Sequence, residues 1–167
     1  MILKAAGAAL MLAGAVLYGL WGLYLLKRRL NIIRELTQAV IYITSGIEFS
    51  QKPITVIFGE LAARHKGAVG DMFRELAEGL ENRQNCTELW AQALNGLLTD
   101  LEERGIFLPI GACLGMTDKT VQLKTMEMAA ADAREYERRL RERIERYKAA
   151  DLRLRIMCGA AAVIILI

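Results

Sequence analysis

Apolar residues follow three regimes along this chain. From Ala5 to Leu26 they run without a single charge, through the middle they recur at every third or fourth position, and from Ile156 to Ile167 they run unbroken again. The first run is 22 residues long. As a helix it reaches roughly 33 Å, enough for a hydrocarbon core of about 30 Å, and it predicts an N-terminal transmembrane helix. A cleaved leader has a shorter apolar stretch of about 7 to 15 residues and small residues after it. Here Lys27-Arg28-Arg29 follows instead and outweighs Lys4, so the positive-inside rule predicts the N-terminus outside and the rest in the cytoplasm. Tyr18, Trp21 and Tyr24 lie toward the cytoplasmic end, where amphipathic rings favour the interface. Gly7, Gly14, Gly19 and Gly22 do not form a clean GxxxG repeat, so a lipid-facing anchor and a helix-packing segment both remain open. The C-terminal run reaches only about 18 Å, which makes it a half-inserted tail or a span that continues past Ile167.

Between these runs the spacing predicts helices. Ile33, Leu36, Val40, Ile43 and Ile47 step along one face of a helix that leaves the membrane directly. Pro53 breaks it and suits the first turn of a second helix with Ile54, Ile57, Phe58 and Leu61 inward. Gly67 and Gly70 read as a turn before a third helix with Met72, Phe73, Leu76 and Leu80, which Asn82 to Asn85 end. Thr87 is placed to cap a fourth helix carrying Trp90, Leu94, Leu97 and Leu98. Asp100, with Glu103 at the third position, is placed to cap a fifth, which Pro109 and Gly111 should kink or divide. Thr117 caps a sixth and longest helix, with Asp118 in its first turn and Met116 stapled to Val121. No Gly or Pro then interrupts the chain until Gly159, and Ala129, Ala133, Tyr136, Leu140, Ile144 and Tyr147 form the apolar stripe. Glu135 with Arg139, Glu137 with Arg141 and Glu142 with Arg146 are favourable i,i+4 pairs on the wet faces. The expected fold is all-α: an N-terminal transmembrane anchor with its basic flank over 1–29, a compact bundle of about six helices over 30–155, and an apolar membrane tail over 156–167.

Composition sharpens this picture. Only 2 prolines among 167 residues, with many Ala, Leu, Glu and Arg, favour helix over sheet. Residues 30–118 carry 7 Lys and Arg against 12 Asp and Glu, a net of −5, whereas residues 119–155 carry 11 against 7, a net of +4. The basic charge therefore lies beside the apolar ends and the acidic charge on the middle of the chain. Cys86, Cys113 and Cys158 are far apart and show no CxxC spacing, which argues against a disulfide framework or a zinc site and for a reducing compartment.

Catalytic raw material is scarce. His65 stands alone between Arg64 and Lys66 and reads as a surface histidine, and Ser45 and Ser50 lie in no nucleophile-elbow pattern. There is no HExxH, Walker A or GxGxxG sequence, so neither metal nor nucleotide is expected. The stretch from Arg138 to Lys148 is basic but interleaved with Glu and lacks an array of stacking aromatics, which argues against nucleic acid. The chain is therefore expected to be no enzyme and to need no cofactor. Asp71, Glu75 and Glu78 lie at i, i+4 and i+7 and share one helical face, which Glu81 continues. They are either a solvated surface or a docking stripe for a basic partner.

The order of features resembles the stage III sporulation protein AB family of endospore-forming bacteria over essentially the whole chain. Gly46-Ile47-Glu48-Phe49 followed by Lys52-Pro53-Ile54 is similar to a family pattern of Glu-Ile-x-Tyr and then Thr-Pro-Leu. Leu114-Gly115-Met116-Thr117-Asp118 with Gln122 is similar to Leu-Gly-x-Ser/Thr-Asp with a following Gln. These are packing and capping motifs. Gly46 and Phe49 depart from the usual Glu and Tyr, and Pro109 falls inside the fifth helix.

The resemblance implies a membrane platform in the secretion-like channel between mother cell and forespore. It also implies a helical domain similar to that of the platform proteins of type II secretion and type IV pilus machines. The implied partners are the stage III sporulation AA ATPase, other channel components and membrane lipid, in an oligomeric assembly on the mother-cell membrane around the forespore. The alternative is a membrane-tethered helical adaptor or regulator outside sporulation. A closed packing of the fourth and fifth helices would favour the platform, and an extended rod the adaptor.

Overall fold

The computed structural model describes residues 2–50, 52–114 and 118–166, without the side chains of 2–12, 15, 16, 50 and 151–166. Its elements are α1 (Ile2–Ser45), a π-helical turn (Gly46–Ser50), α2 (Ile54–Arg64), α3 (Ala68–Glu81), α4 (Cys86–Leu97), α5 (Leu101–Leu114) and α6 (Lys119–Leu166), so the fold is all-α with six α-helices and no strand among the described residues. Two compact units divide the chain: one is residues 1–31 with 138–167, the other 32–137.

Among the described residues no helix is long and apolar enough to cross a membrane. The expected transmembrane helix within 1–29 therefore has no support there. The uncharged run from Ala5 to Leu26 lies within α1, but its side chains are described only from Ala13 on, without those of residues 15 and 16, and α1 continues from it through Lys27, Arg28 and Arg29. The tail over 156–167 and Cys158 carry no described side chains.

In the unit of residues 32–137 the predicted inward positions form the core. Ile33, Leu36, Val40 and Ile43 of α1 are buried, with Ile57, Phe58 and Leu61 of α2 and Met72, Phe73 and Leu76 of α3, whereas Ile47, Leu80 and Leu97 are half-buried. At its centre Phe58, Phe73 and Trp90 are all fully buried, with ring centroids 5.7 to 6.3 Å apart. Each aromatic pair at this spacing adds about 0.5–1.5 kcal/mol beyond area burial. The Trp90 Nε1–H donates to the Phe107 carbonyl at 2.9 Å, so the indole anchors α4 to α5 without leaving its one donor unmet.

Several boundaries differ from those expected. Gly67, with φ 72°, is the turn before α3, but Gly70 lies buried within α3, where a Cβ would meet the His65 carbonyl oxygen at 2.1 Å. Asn85, not Thr87, caps α4: its side chain accepts from the Thr87 N–H at 2.9 Å, while the Thr87 hydroxyl donates to the Gly111 carbonyl on α5 at 3.1 Å. Asp100 does cap α5, accepting from the Glu102 N–H at 2.9 Å. Pro109 and Gly111 do not divide that helix. Pro109 and Gly105, whose carbonyl is left without its N–H partner, are both exposed, and Gly111 lets Trp90 press against the backbone. The predicted roles of Met116 and Thr117 lie outside the described residues; Asp118 performs the capping, accepting from the Thr120 and Val121 N–H groups at 2.9 and 3.3 Å. On α6, Ala129, Ala133 and Tyr136 are buried as expected, but Glu137 is buried as well rather than on a wet face.

In the unit of residues 1–31 and 138–167, Leu140 and Ile144 are buried while Tyr147 remains half exposed at 47%. Tyr147 packs its ring within 3.8 Å of the position a Cβ on Gly22 would take. Arg146 pairs with Glu142 at 3.7 Å, as the spacing predicts, and Arg138 also reaches Glu142 at 2.6 Å.

Candidate functional site

Helix α3 is strongly amphipathic, and burial of Val69, Met72, Phe73 and Leu76 turns Asp71, Glu75 and Glu78 to solvent. The predicted stripe is therefore an exposed face. Arg74 donates to Asp71 at 2.8 Å, an exposed pair that softens this one charge. Glu75 and Glu78 pair with no described cation. Helices α3 and α4 close upon each other at Gly79, where a Cβ would lie 2.7 Å from Leu89 Cδ1. From Leu89 to Leu97 they line a groove of about 320 Å³. Met72, Leu76, Leu89, Ala93 and Leu97 supply its apolar surface, and Asp71 and Glu75 stand on its α3 side; Glu78 is not part of the lining. The two helices together carry Asp71, Glu75, Glu78, Glu81 and Glu88 against Arg74, a net of −4, and all six side chains are exposed.

A second polar constellation joins α1 to α2 beside the π-helical turn. The Tyr42 hydroxyl donates to the Glu60 carboxylate, Lys52 Nζ donates to the other oxygen at 2.5 Å, and the Arg64 guanidinium lies 4.3 Å over the Tyr42 ring. Hydrogen bonds from Lys52 and then Tyr42 hold the Glu60 carboxyl below its ordinary range. The same bond to Glu60 raises Lys52, and raises Tyr42 together with burial. A cavity of about 150 Å³ opens beside the cluster, bounded by Gly46, Phe49 and Ile57. Glu60 is met by Lys52 and Tyr42, and Arg64 stacks on the same Tyr42 ring, which makes the cluster a clasp between helices.

The other candidates serve the fold. His65 is half-buried rather than on the surface, with Nδ1 3.6 Å from a Glu35 carboxylate oxygen and its ring 6.4 Å from that of Phe73. Cys86 and Cys113 are free thiols, both raised by burial and so kept from the reactive thiolate. Glu103 is buried and accepts from the Tyr136 hydroxyl at 3.1 Å, while Arg34 approaches Glu137 at 3.9 Å. No group of three His, Cys, Asp or Glu that could hold a metal occurs among the described residues. Neither the groove's α4 side nor the Tyr42 cluster is legible in the sequence, since each needs two helices brought together. The one available signal was Leu89, Ala93 and Leu97, spaced as a second apolar face beside that of Trp90 and Leu94.

The family model for stage III sporulation protein AB matches residues 4–167. A solved structure titled stage III sporulation protein AB (SpoIIIAB) superposes with a TM-score of 0.62 at 19% identity, covering 68% of this chain and 93% of that one. At that identity the likeness concerns the fold. No curated protein matches the sequence. With a family model that spans nearly all of its residues, the chain belongs to the stage III sporulation protein AB family.

Proposed function

We propose that the protein is a non-enzymatic membrane platform that couples a cytoplasmic ATPase to the sporulation channel between mother cell and forespore. Family membership over residues 4–167 carries this reading and implies a component of the sporulation channel complex. Two features support the finer role. The closed packing of α4 on α5, through Trp90 and Phe107, favours a bundle over an extended rod. Tyr18, Trp21 and Tyr24 are 81, 65 and 61% exposed toward the C-terminal end of the uncharged run, and such rings are suited to a lipid interface. In this reading residues 1–29 anchor the chain, 30–155 face the cytoplasm, and the Asp71, Glu75 and Glu78 face of α3 meets the partner. Affinity capture of the full-length chain from sporulating cells should recover a secretion-type ATPase. Recovery of membrane proteins without any ATPase would defeat the coupling role.

A further inference from the structure

The groove between α3 and α4 combines an apolar floor with the carboxylates of Asp71 and Glu75, of which only Asp71 is paired, with Arg74, and further exposed carboxylates lie on the same two helices beyond the lining. We propose that it is a docking site for an amphipathic helix of a partner protein, whose aliphatic side chains enter the groove while its Lys and Arg residues face Asp71 and Glu75 on the groove wall. The inference deepens the platform reading and rests on it.

A groove bounded by two helices runs along them, and a third helix fits such a channel by setting one ridge of side chains into it at i, i+3, i+4 and i+7. Ala68, Ala93 and Gly96 in the lining are small, which allows close approach of the incoming backbone. The net of −4 on α3 and α4 selects a basic occupant, since charge of one sign steers a partner of the other and rejects its own. An anionic membrane surface is repelled for the same reason. A folded second copy is a poor fit: its basic stretch from Arg138 to Lys148 has already buried Leu140 and Ile144, so it has few apolar side chains to insert.

The probe is a fluorescein-labelled synthetic helix of about 18 residues, with Leu on one face and Lys on both flanks, and a counterpart with Glu replacing Lys. Each is titrated against the full chain in nanodiscs of zwitterionic lipid, with empty nanodiscs as background. The Lys peptide should bind saturably and roughly tenfold or more tighter than the Glu peptide, and should weaken as salt rises from about 50 to about 300 mM.

Gly96→Phe fills the groove from a position where a Cβ would meet nothing within 4 Å, and should weaken binding about tenfold or more. Gln92→Arg, an exposed change in the lining, should do the same by charge, so the test survives if one variant fails to fold. Gly59→Phe on α2, equally open but outside the groove, should bind as wild type does. Equal binding by wild type and both groove variants, or equal binding of the two peptides, overturns the proposal. Groove-dependent peptide binding without ATPase capture from cells would overturn the coupling role and leave the groove standing. ATPase capture without groove-dependent peptide binding would overturn the groove alone.

Discussion

Gly111 faces a packed indole: a Cβ there would sit 2.6 Å from Trp90 Cδ1 and 2.7 Å from its Cβ and Cγ. A fully buried ring, held by its bond to the Phe107 carbonyl, has little room to yield. Gly111→Ala should therefore destabilise the protein by about 1–3 kcal/mol, as overpacking does in other cores. Gly59 meets nothing within 4 Å, and Gly59→Ala should stabilise α2 by about 0.5–1 kcal/mol. Urea unfolding followed by helical circular dichroism measures both, and a common sign would refute the packing argument. Glu60 answers to pH. Its folded pKa is lowered by Lys52 and Tyr42, so its contribution to stability is present above the ordinary value of 4.5 and is lost as pH falls through the lowered one. Melting temperature should fall on the acid side in wild type and fall less steeply in Glu60→Gln. Lys52 has the opposite sign: raised from 10.5, it contributes below that value and loses the contribution as pH climbs past the folded one.

At the scale of elements, caps decide where helices start. Asn85 accepts the Thr87 N–H, an orphan donor of the first turn of α4. Asn85→Ala should cost about 1 kcal/mol, seen as a lower urea midpoint at unchanged slope. A changed slope would mean that more than a cap had been lost. Thr87 looks like an equally good cap in the sequence, but its hydroxyl is drawn to the Gly111 carbonyl, a partner 24 residues away. Pro109 teaches a similar lesson. The cost of proline inside a helix depends on whether the orphaned carbonyl can reach water, and that is a property of which face of α5 is covered.

For the whole molecule, the placement of charge yields the topology prediction. Lys27 to Arg29 beside the uncharged run predict, by the positive-inside rule, that the middle of the chain faces the cytoplasm. A full-length variant with its one cysteine at position 83, an exposed residue between α3 and α4, should resist a membrane-impermeant maleimide in intact cells and react after permeabilisation. Labelling from outside would invert the proposed orientation. Helix number, the inward residues Ile33, Phe58, Phe73 and Trp90, the acidic face of α3 and the split of charge could all be read from the sequence. Each of these is written within one segment, by periodicity or local composition. The tertiary structure alone decided that Tyr42 meets Glu60 18 residues on, that Glu103 meets Tyr136 33 residues on, and that the acidic face borders an apolar groove. Those features depend on which helix faces meet and how closely side chains such as Leu89 and Trp90 let them approach, and spacing along the chain does not encode that.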